Sequence, residues 1–396
     1  MATAGRFIEG YHPIAIVYNY RDIAAPWIKR CGFFDSFYGE YKMSIFRGIT
    51  SLFGSRSLNK PTKNVLLITQ KTEGANCGIG IIGELIGKAL SHSKKYNFIT
   101  VSCSDMATVD GFINDYHPIA IIYNYHDITT PWMIKRSGFL SKYTPWVKSA
   151  GFLSKYPEIK HIMLHHDFHQ EKVDRFSPSL YHGFEYIICA DPTLVGSGHV
   201  FPVNRLIPDC SIKPYVEKDR PIIGFQGFGA VHKGIHKIAL KTVEEFDAAI
   251  INLHIPPAHW GTPLEGAIQR VNEVKAIVNN SGKKNIDVVF SHDILSTQDL
   301  ISSMSQNTVN CYFNDYLDGA GLASSPDYAL SARRPIALTK SHQFRNFLGI
   351  TPSVFIEDNS LKDIISFGTD HLQGLYSSYS QSNVIEDYEK VIDKVT

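Results

Sequence analysis

The sequence lacks the features that mark several broad classes of protein. Its six cysteines are scattered without paired spacing, which argues against a disulfide framework or a structural zinc site. The 39 basic residues balance 38 acidic ones, and no block of like charges suggests a nucleic-acid footprint. No uninterrupted apolar run approaches the length of a membrane span. We therefore expect neither a nucleic-acid partner nor a membrane-spanning helix.

The first ten residues also lack the apolar core of a signal peptide. Together with the scattered cysteines, this predicts a reducing, cytoplasmic location. Residues 41–53 mix basic and large apolar side chains. This pattern fits a helix packed on its own domain, which is the commoner arrangement, or a peripheral contact with a membrane.

The chain does contain enough apolar material for two domains. Its 396 residues exceed the usual size of one domain, and 44% of them are hydrophobic. Charged residues make up only 19%, which is typical of a folded globular protein and not of a disordered chain.

A partial internal repeat affects how the chain is divided. The segment YHPIAIVYNYRDIAAPW at 11–27 returns as YHPIAIIYNYHDITTPW at 116–132, and a smaller echo relates 130–143 to 144–156. These copies do not tile at a fixed period as solenoid repeats do. We assign the copy at 116–132 to the first domain. Residues 1–60 then form an amino-terminal extension that adds no strand to the centre of either sheet.

From residue 61 onward, strand and helix patterns alternate, which predicts parallel sheets with helices on both faces. The first series of strands is predicted at 64–70, 98–103, 118–125, 161–166 and 185–190. The second series is predicted at 221–227, 249–255, 286–292, 308–314, 335–340 and 353–357. A proline-containing connector at 201–220 separates the two series. The sequence thus predicts an α/β fold of two Rossmann-like domains, at 61–210 and 211–378, facing each other across a cleft. An amphipathic helix within 379–396 would pack on either domain.

Ligands bind at the carboxyl ends of strands in open parallel sheets, so the loops there hold the candidate site residues. The first candidate, GIGIIG at 78–83, matches the G-x-G-x-x-G dinucleotide pattern, with Asp105 about 20 residues further on. A long spacer before Gly78 weakens that interpretation. A glycine loop at a helix amino terminus would still receive an anion or a sugar, and close helix–strand packing is the structural alternative.

The second candidate is the HHDFH segment after the fourth strand. Neighbouring side chains in a strand point to opposite faces, so His165 and His166 would not share one metal ion. We expect no metal site. A hydrogen-bonding or catalytic role for His166 or Asp167 is the leading hypothesis, and polar packing is the alternative.

The third candidate is GFQGFGAVHKGIHKI at 224–238. Here a strand runs into a glycine loop, and Lys233 precedes Gly234 at the start of a helix. An ammonium group beside free helix N–H groups suits a diphosphate, whereas a solvated surface lysine is the alternative.

The fourth candidate, LDGAGLASSPDYAL at 317–330, offers carboxylates and small residues suited to sugar hydroxyls. Helix capping in a solvated loop would explain the same residues.

These segments resemble the GT-B glycosyltransferases, in particular their family-4-like group of retaining, nucleotide-sugar-dependent enzymes. The resemblance covers residues 61 to about 378 and depends on the four segments above. It implies that 61–210 is the acceptor domain and 211–378 the donor domain. It also implies that Lys233 contacts the donor diphosphate, that Gly78 and Gly80 face phosphate and acceptor, and that His166 lies near the transferred sugar.

The resemblance also implies which residues would be catalytic and which would bind the donor. The catalytic residues would be His166, Asp167, Lys233 and Asp318. The donor would be bound by Gly227, Lys233, Gly234, Asp318, Gly319, Gly321, Leu322 and Asp327. The sequence departs from the family pattern at Phe228, where the family usually has an arginine, and at Asp318 and Asp327, which replace two glutamates.

The expected reaction transfers a sugar from a nucleotide-sugar to a glycan, lipid or small-molecule acceptor. It would retain configuration at the sugar carbon and need no metal or further cofactor, because Lys233 and helix dipoles can neutralise the leaving diphosphate. Two alternatives stay open. One is an NAD-type enzyme or sugar-nucleotide epimerase, and the other is an inactive carbohydrate- or nucleotide-binding relative.

Overall fold

The computed structural model describes residues 63–70, 78–103, 106–125, 153–258 and 263–396. These residues form two α/β domains, each built on one parallel sheet. The predicted extension at 1–60, the repeat copy within it, Asp105 and most of the smaller echo lie outside the described residues. None of the helices in the described ranges combines the length and apolar character that a membrane crossing requires.

The first domain has a six-stranded sheet in the order β2-β1-β3-β4-β5-β6. Its strands are β1 (Asn64–Gln70), β2 (Asn97–Cys103), β3 (Ala120–Tyr125), β4 (Lys160–His165), β5 (Tyr186–Cys189) and β6 (Val200–Pro202). Its helices are α1 (Gly78–Leu90), α2 (Met106–Tyr116) and α3 (Gln170–Asp174). All pairs of neighbouring strands are parallel, so their carboxyl ends share one edge of the sheet.

The second domain has a five-stranded parallel sheet in the order β11-β10-β7-β8-β9. Its strands are β7 (Ile222–Gln226), β8 (Ala248–His254), β9 (Asn285–Ser291), β10 (Val309–Tyr312) and β11 (Ile336–Leu338). Its helices are α4 (Ile235–Glu245), α5 (Pro263–Asn280), α6 (Thr297–Met304), α7 (Ser325–Ser331), α8 (Leu361–Phe367) and α9 (Gln373–Ser378).

The last helix, α10 (Gln381–Val395), packs on the first domain. Its buried apolar residues, among them Tyr388 and Ile392, join Ile86 and Leu90 of α1 in one core cluster. The hydroxyl of Tyr96 also donates a 2.6 Å hydrogen bond to the Asp393 carboxylate. The sequence left the choice of domain open, and the structure shows that the chain returns from the second domain to the first.

The prediction of an α/β chain with two parallel sheets is confirmed, with local differences. Strand β6 was not predicted, and it occupies the point where the connector was expected to begin. The run at 353–357 forms no strand but one bridge, between Phe355 and Leu338. Here the chain turns at once, because the Asn359 side chain donates to the Ser353 carbonyl and the Asp358 N–H donates to the Phe355 carbonyl.

The GIGIIG segment is helical, although the sequence predicted a loop there. Helix α1 begins at Gly78 and therefore contains Gly80 and Gly83. Apolar residues at helical spacing, from Ile82 through Ile86 to Leu90, pack against β1 and β3 and offset the low helix propensity of glycine.

Candidate functional site

A cavity of about 530 Å³ lies between the two domains, at the carboxyl ends of both sheets. Helix α1 and the residues after β4 line it from the first domain. The turn after β7, the end of β8 and the start of α7 line it from the second. This is the place where the topology of parallel sheets predicts a ligand.

The cavity brings together part of the predicted site. The predicted residues that line it are Gly78, His166, Asp167, Gly227, Lys233, Leu322 and Asp327. The predicted residues outside its lining are Gly80, Gly234, Asp318, Gly319 and Gly321. Phe228 also lines the cavity.

Lys233 enters the cavity from a short 3-10 turn (Val231–Lys233) between β7 and α4. Gly234 follows with a φ of 60°. A Cβ atom at this position would lie 2.0 Å from the Phe313 carbonyl oxygen, so the chain needs glycine here to leave the turn and begin α4. The local sequence thus fixes Lys233 at the end of a central strand.

The Lys233 side chain is half-buried and makes no hydrogen bond or ion pair with any described residue. Burial lowers the pKa of its ammonium from 10.5 to about 8. By contrast Lys237, one helical turn further on, donates to the Asp315 carboxylate at 2.6 Å. An unpaired, partly desolvated cation lining a cavity is a ready site for an anion.

His166 faces the cavity from the opposite domain. Its Nε2 lies 2.6 Å from Oδ1 of Asn124, and Nδ2 of Asn124 donates to the Ile79 carbonyl at 2.9 Å. His165 lies instead among aromatic rings, with the Phe168 ring centroid 5.1 Å away. The alternation predicted for this strand therefore separates the two histidines. The described residues contain no group of three or more histidine, cysteine or acidic side chains arranged to hold a metal ion.

Two further histidines, His232 and His254, line the cavity from the second domain. Burial lowers the pKa of both rings, and the nearby charge of Lys233 lowers that of His232 further. Both imidazoles are therefore neutral at and above pH 7, which leaves Lys233 as the titrating cation among the described residues of this wall.

Asp327 lines the cavity, but its carboxylate is bound to a guanidinium. Nε of Arg205, in the connector, lies 2.9 Å from both carboxylate oxygens, and both side chains are buried. Arg205 also donates to the Ala190 carbonyl of the first domain and to the Ala323 carbonyl of the second. The predicted donor carboxylate therefore takes part in a contact that joins the domains.

A second ion pair, between the partly buried Arg345 and the buried Asp191, also crosses the domain boundary. Arg345 belongs to the second domain and donates to the Phe168 carbonyl of the first at 3.1 Å. Its other amino group donates to the Ala320 carbonyl at 3.0 Å, which holds the 318–321 loop in place.

Asp318 begins that loop and is exposed. Its carboxylate accepts a 2.9 Å hydrogen bond from the N–H of Gly319, and Gly319 lies beside the ring of His169. Gly321 lies directly against the backbone of His166 and the side chain of Asp167. The loop therefore contacts the first domain at the edge of the cavity.

Sequence reasoning missed several polar or charged residues that line the cavity, namely Arg205, Gln226, His232 and His254. It also missed Asn124, which does not line the cavity but contacts His166. Asn124 gave the clearest signal, as a polar residue at the carboxyl end of the apolar strand PIAIIYNY. No sequence pattern indicated Arg205, because its partner Asp327 is 122 residues away along the chain.

No protein-family model and no curated protein sequence matches the chain. Solved structures do resemble it in fold. Sucrose-phosphate synthase from Thermosynechococcus elongatus is 11% identical, with a TM-score of 0.55 over 84% of this chain and 98% of that one. HepE from Anabaena, in complex with UDP-glucose, is 12% identical, with a TM-score of 0.51 over 83% and 99% of the two chains.

A third similar structure is an α-glucosyltransferase in complex with UDP and a 13-mer DNA containing an HMU base. It is 11% identical, with a TM-score of 0.53 over 84% of this chain and 99% of that one. The chain is thus similar in fold to glycosyltransferases of the GT-B type. At these identities the likeness concerns the fold alone.

Proposed function

We propose that this protein is a glycosyltransferase that moves a sugar from a nucleotide-sugar donor, such as a UDP-sugar, to an acceptor bound against the first domain. One observation carries the proposal: the half-buried ammonium of Lys233, unpaired among the described residues, lines the cavity between the domains. The related solved structures support it, because HepE and the α-glucosyltransferase hold UDP-glucose and UDP.

A diphosphate fits the environment of Lys233. Its negative charge would replace the water that the half-buried ammonium has lost, in a place where charge-assisted hydrogen bonds are strong. As the bond from sugar to phosphate breaks, charge develops on the leaving diphosphate, and a fixed cation stabilises it without reorganising. Transfer without a metal ion follows from this role.

We assign roles to the remaining predicted residues from their positions around the cavity. His166 and Asp167 would contact the transferred sugar from the first domain. Gly227 and Leu322 would surround the diphosphate and the sugar. Gly234, Asp318, Gly319 and Gly321, which lie outside the cavity lining, would border the donor site. Retention of configuration, with the leaving phosphate assisting the acceptor, needs no side chain as a general base. The acceptor, a glycan, lipid or small molecule, would meet the donor in the cytoplasm or at a membrane surface.

Calorimetric titration with a panel of nucleoside diphosphates tests the proposal. Lys233→Ala should weaken binding of the best diphosphate by about ten- to a hundredfold, because a charge-assisted contact to phosphate contributes about 1.5–3 kcal/mol. Lys237→Ala is the matched control, since Lys237 lies on the adjacent helix, is paired with Asp315 and does not line the cavity. Equal affinities for wild type and Lys233→Ala, with matching melting temperatures, would contradict the proposal.

A second candidate, an inactive nucleotide-binding relative, is favoured by a different observation. The two carboxylates predicted for the donor are occupied elsewhere, Asp327 by Arg205 and Asp318 by its own loop. Nucleoside diphosphate that binds through Lys233, with no release of diphosphate from any nucleotide-sugar, would identify this candidate. Stabilisation by a nicotinamide dinucleotide alone would instead favour the NAD-type alternative.

A further inference from the structure

Helix α1 has two apolar faces, and only one of them packs on the sheet. Ile86 and Leu90 belong to the core cluster beneath the helix, and Ile82 packs against that cluster. Ile81 and Leu85, four residues apart on an adjacent face, belong to none of the core clusters of the described residues. Both are half-buried and line the cavity. A second apolar face of this kind is stable in water only when something covers it.

Ile81, Ile82 and Leu85 form an apolar stripe that leads away from the polar part of the cavity. Helix α1 begins at Gly78, which also lines the cavity, and Leu85 lies about 10 Å further along the helix axis. Because α1 follows β1, its first turn lies at the carboxyl edge of the sheet, the edge at which the cavity also holds Lys233. The lining along α1 therefore changes from polar to aliphatic.

The stripe carries no charge that a polar ligand could use. The charged residues of α1, Glu84 and Lys88, are exposed, and neither belongs to the described lining. A charged or heavily hydroxylated molecule would lose its hydration here without gaining partners, whereas an aliphatic group would be stabilised by leaving water. Aliphatic side chains line the cavity beyond α1 as well, namely those of Leu206, Pro208, Leu295, Leu300 and Val384.

We propose that the acceptor is an uncharged amphiphilic alcohol, whose aliphatic part lies along the apolar stripe and whose hydroxyl meets the donor near Lys233. The inference rests on the proposed function, which supplies the donor. In the transfer, the hydroxyl oxygen bonds to the anomeric carbon of the sugar, and the bond from that carbon to the diphosphate breaks. The hydroxyl proton leaves with the diphosphate. The products are a glycoside of the amphiphile and a nucleoside diphosphate.

Calorimetric titration of the full chain with n-butyl, n-hexyl and n-octyl glucoside, each below its micelle concentration, tests the inference. These probes share one head group and differ only in the aliphatic part. Affinity should rise about fourfold for each methylene that the stripe buries, which corresponds to about 0.8 kcal/mol.

Substitutions on the stripe separate this site from unspecific binding elsewhere. Leu85→Gln puts an amide where the aliphatic chain would lie, and it should weaken binding of octyl glucoside at least tenfold. Leu240→Gln is the matched control, since Leu240 is an exposed leucine on helix α4 and does not line the cavity. This variant should bind like wild type. Ile81→Gln is the second stripe variant, with the same expected loss, in case Leu85→Gln does not fold.

Nucleoside-diphosphate affinity of the stripe variants should stay within about twofold of wild type, because Lys233 binds from the other domain. A tenfold loss there would mean that the stripe contacts the donor, and it would overturn the inference. Octyl glucoside affinity that is equal in wild type and both stripe variants, or that does not change with chain length, would overturn it too. Wild-type protein that binds octyl glucoside through the stripe but binds no nucleoside diphosphate would contradict the proposed function and leave the aliphatic site intact.

Discussion

The two walls of the cavity differ in how their polar groups are satisfied. On the wall of the first domain, His166 is held by Asn124, which is itself held by α1. On the wall of the second domain, Lys233 has no partner among the described residues, whereas the nearby Asp327 is bound by Arg205. His166 is therefore held in place by the protein, whereas the Lys233 ammonium has no carboxylate partner among the described residues. Charges that join the domains are paired, and the charge left for a ligand is not.

The largest expected effect concerns the paired charges. Asp327→Ala leaves the buried guanidinium of Arg205 without a carboxylate, and we expect it to lower the free energy of unfolding by about 3–5 kcal/mol. Denaturant-induced unfolding, followed by tryptophan fluorescence, measures this change. The two remaining carbonyl contacts of Arg205 cannot neutralise its charge.

Glu386→Ala is the matched control for that experiment. Glu386 pairs with Lys390 on α10 at 2.8 Å, and both side chains are largely exposed. Loss of this ion pair should lower the free energy of unfolding by less than about 0.5 kcal/mol, as for other surface pairs. If both variants lowered the free energy of unfolding by similar amounts, the pair formed by Arg205 and Asp327 would not stabilise the boundary between the domains.

Much of the fold was predictable because it depends on local patterns. Strands such as NVLLITQ and AIINLHI are short apolar runs followed by glycine- or proline-containing loops, and the structure places β1 and β8 within one residue of the prediction. The start of α1 was not predictable in this way. Three glycines within six residues indicate a loop, and the helix forms because its apolar residues pack on the sheet, where Gly83 allows a close approach to Asn124.

The site was predictable where one residue follows a strand and unpredictable where two distant residues meet. Lys233 and His166 were predicted to lie at one edge because each follows a buried strand, and the structure places both in the cavity lining. The pair formed by Arg205 and Asp327 depends on how the two domains pack, which no local pattern contains. Asn124 falls between these cases, since its position was visible in the sequence and its partners were not.

The next effect concerns the unpaired charge and its dependence on pH. In the free protein, the Lys233 ammonium should lose its proton as pH rises through about 8. A bound diphosphate requires the charged form, so affinity should fall about tenfold between pH 7 and pH 9. For the same reason, the free energy of unfolding of the ligand-free protein should rise between pH 8 and the ordinary lysine pKa of 10.5, because the unfolded chain there binds the extra proton.

Lys233→Arg separates the charge of this side chain from its titration. Arginine stays protonated over the whole range, so the variant should bind nucleoside diphosphate with an affinity that changes little from pH 7 to pH 9. Calorimetry at several pH values provides both curves. If the affinity fell equally with pH in wild type and in Lys233→Arg, the group that titrates would not be Lys233.

The smallest expected effect concerns Asp318, a predicted donor carboxylate outside the cavity lining. Its side chain is exposed and accepts from the N–H of Gly319, so Asp318→Asn should change nucleoside-diphosphate affinity by less than about twofold. Asp209→Asn, at an exposed carboxylate in the connector, is the control for the loss of one negative charge. The two variants should be indistinguishable by calorimetry. A tenfold or larger loss for Asp318→Asn alone would mean that the 318–321 loop moves onto the bound donor, and the second wall would then contribute a carboxylate as well as a cation.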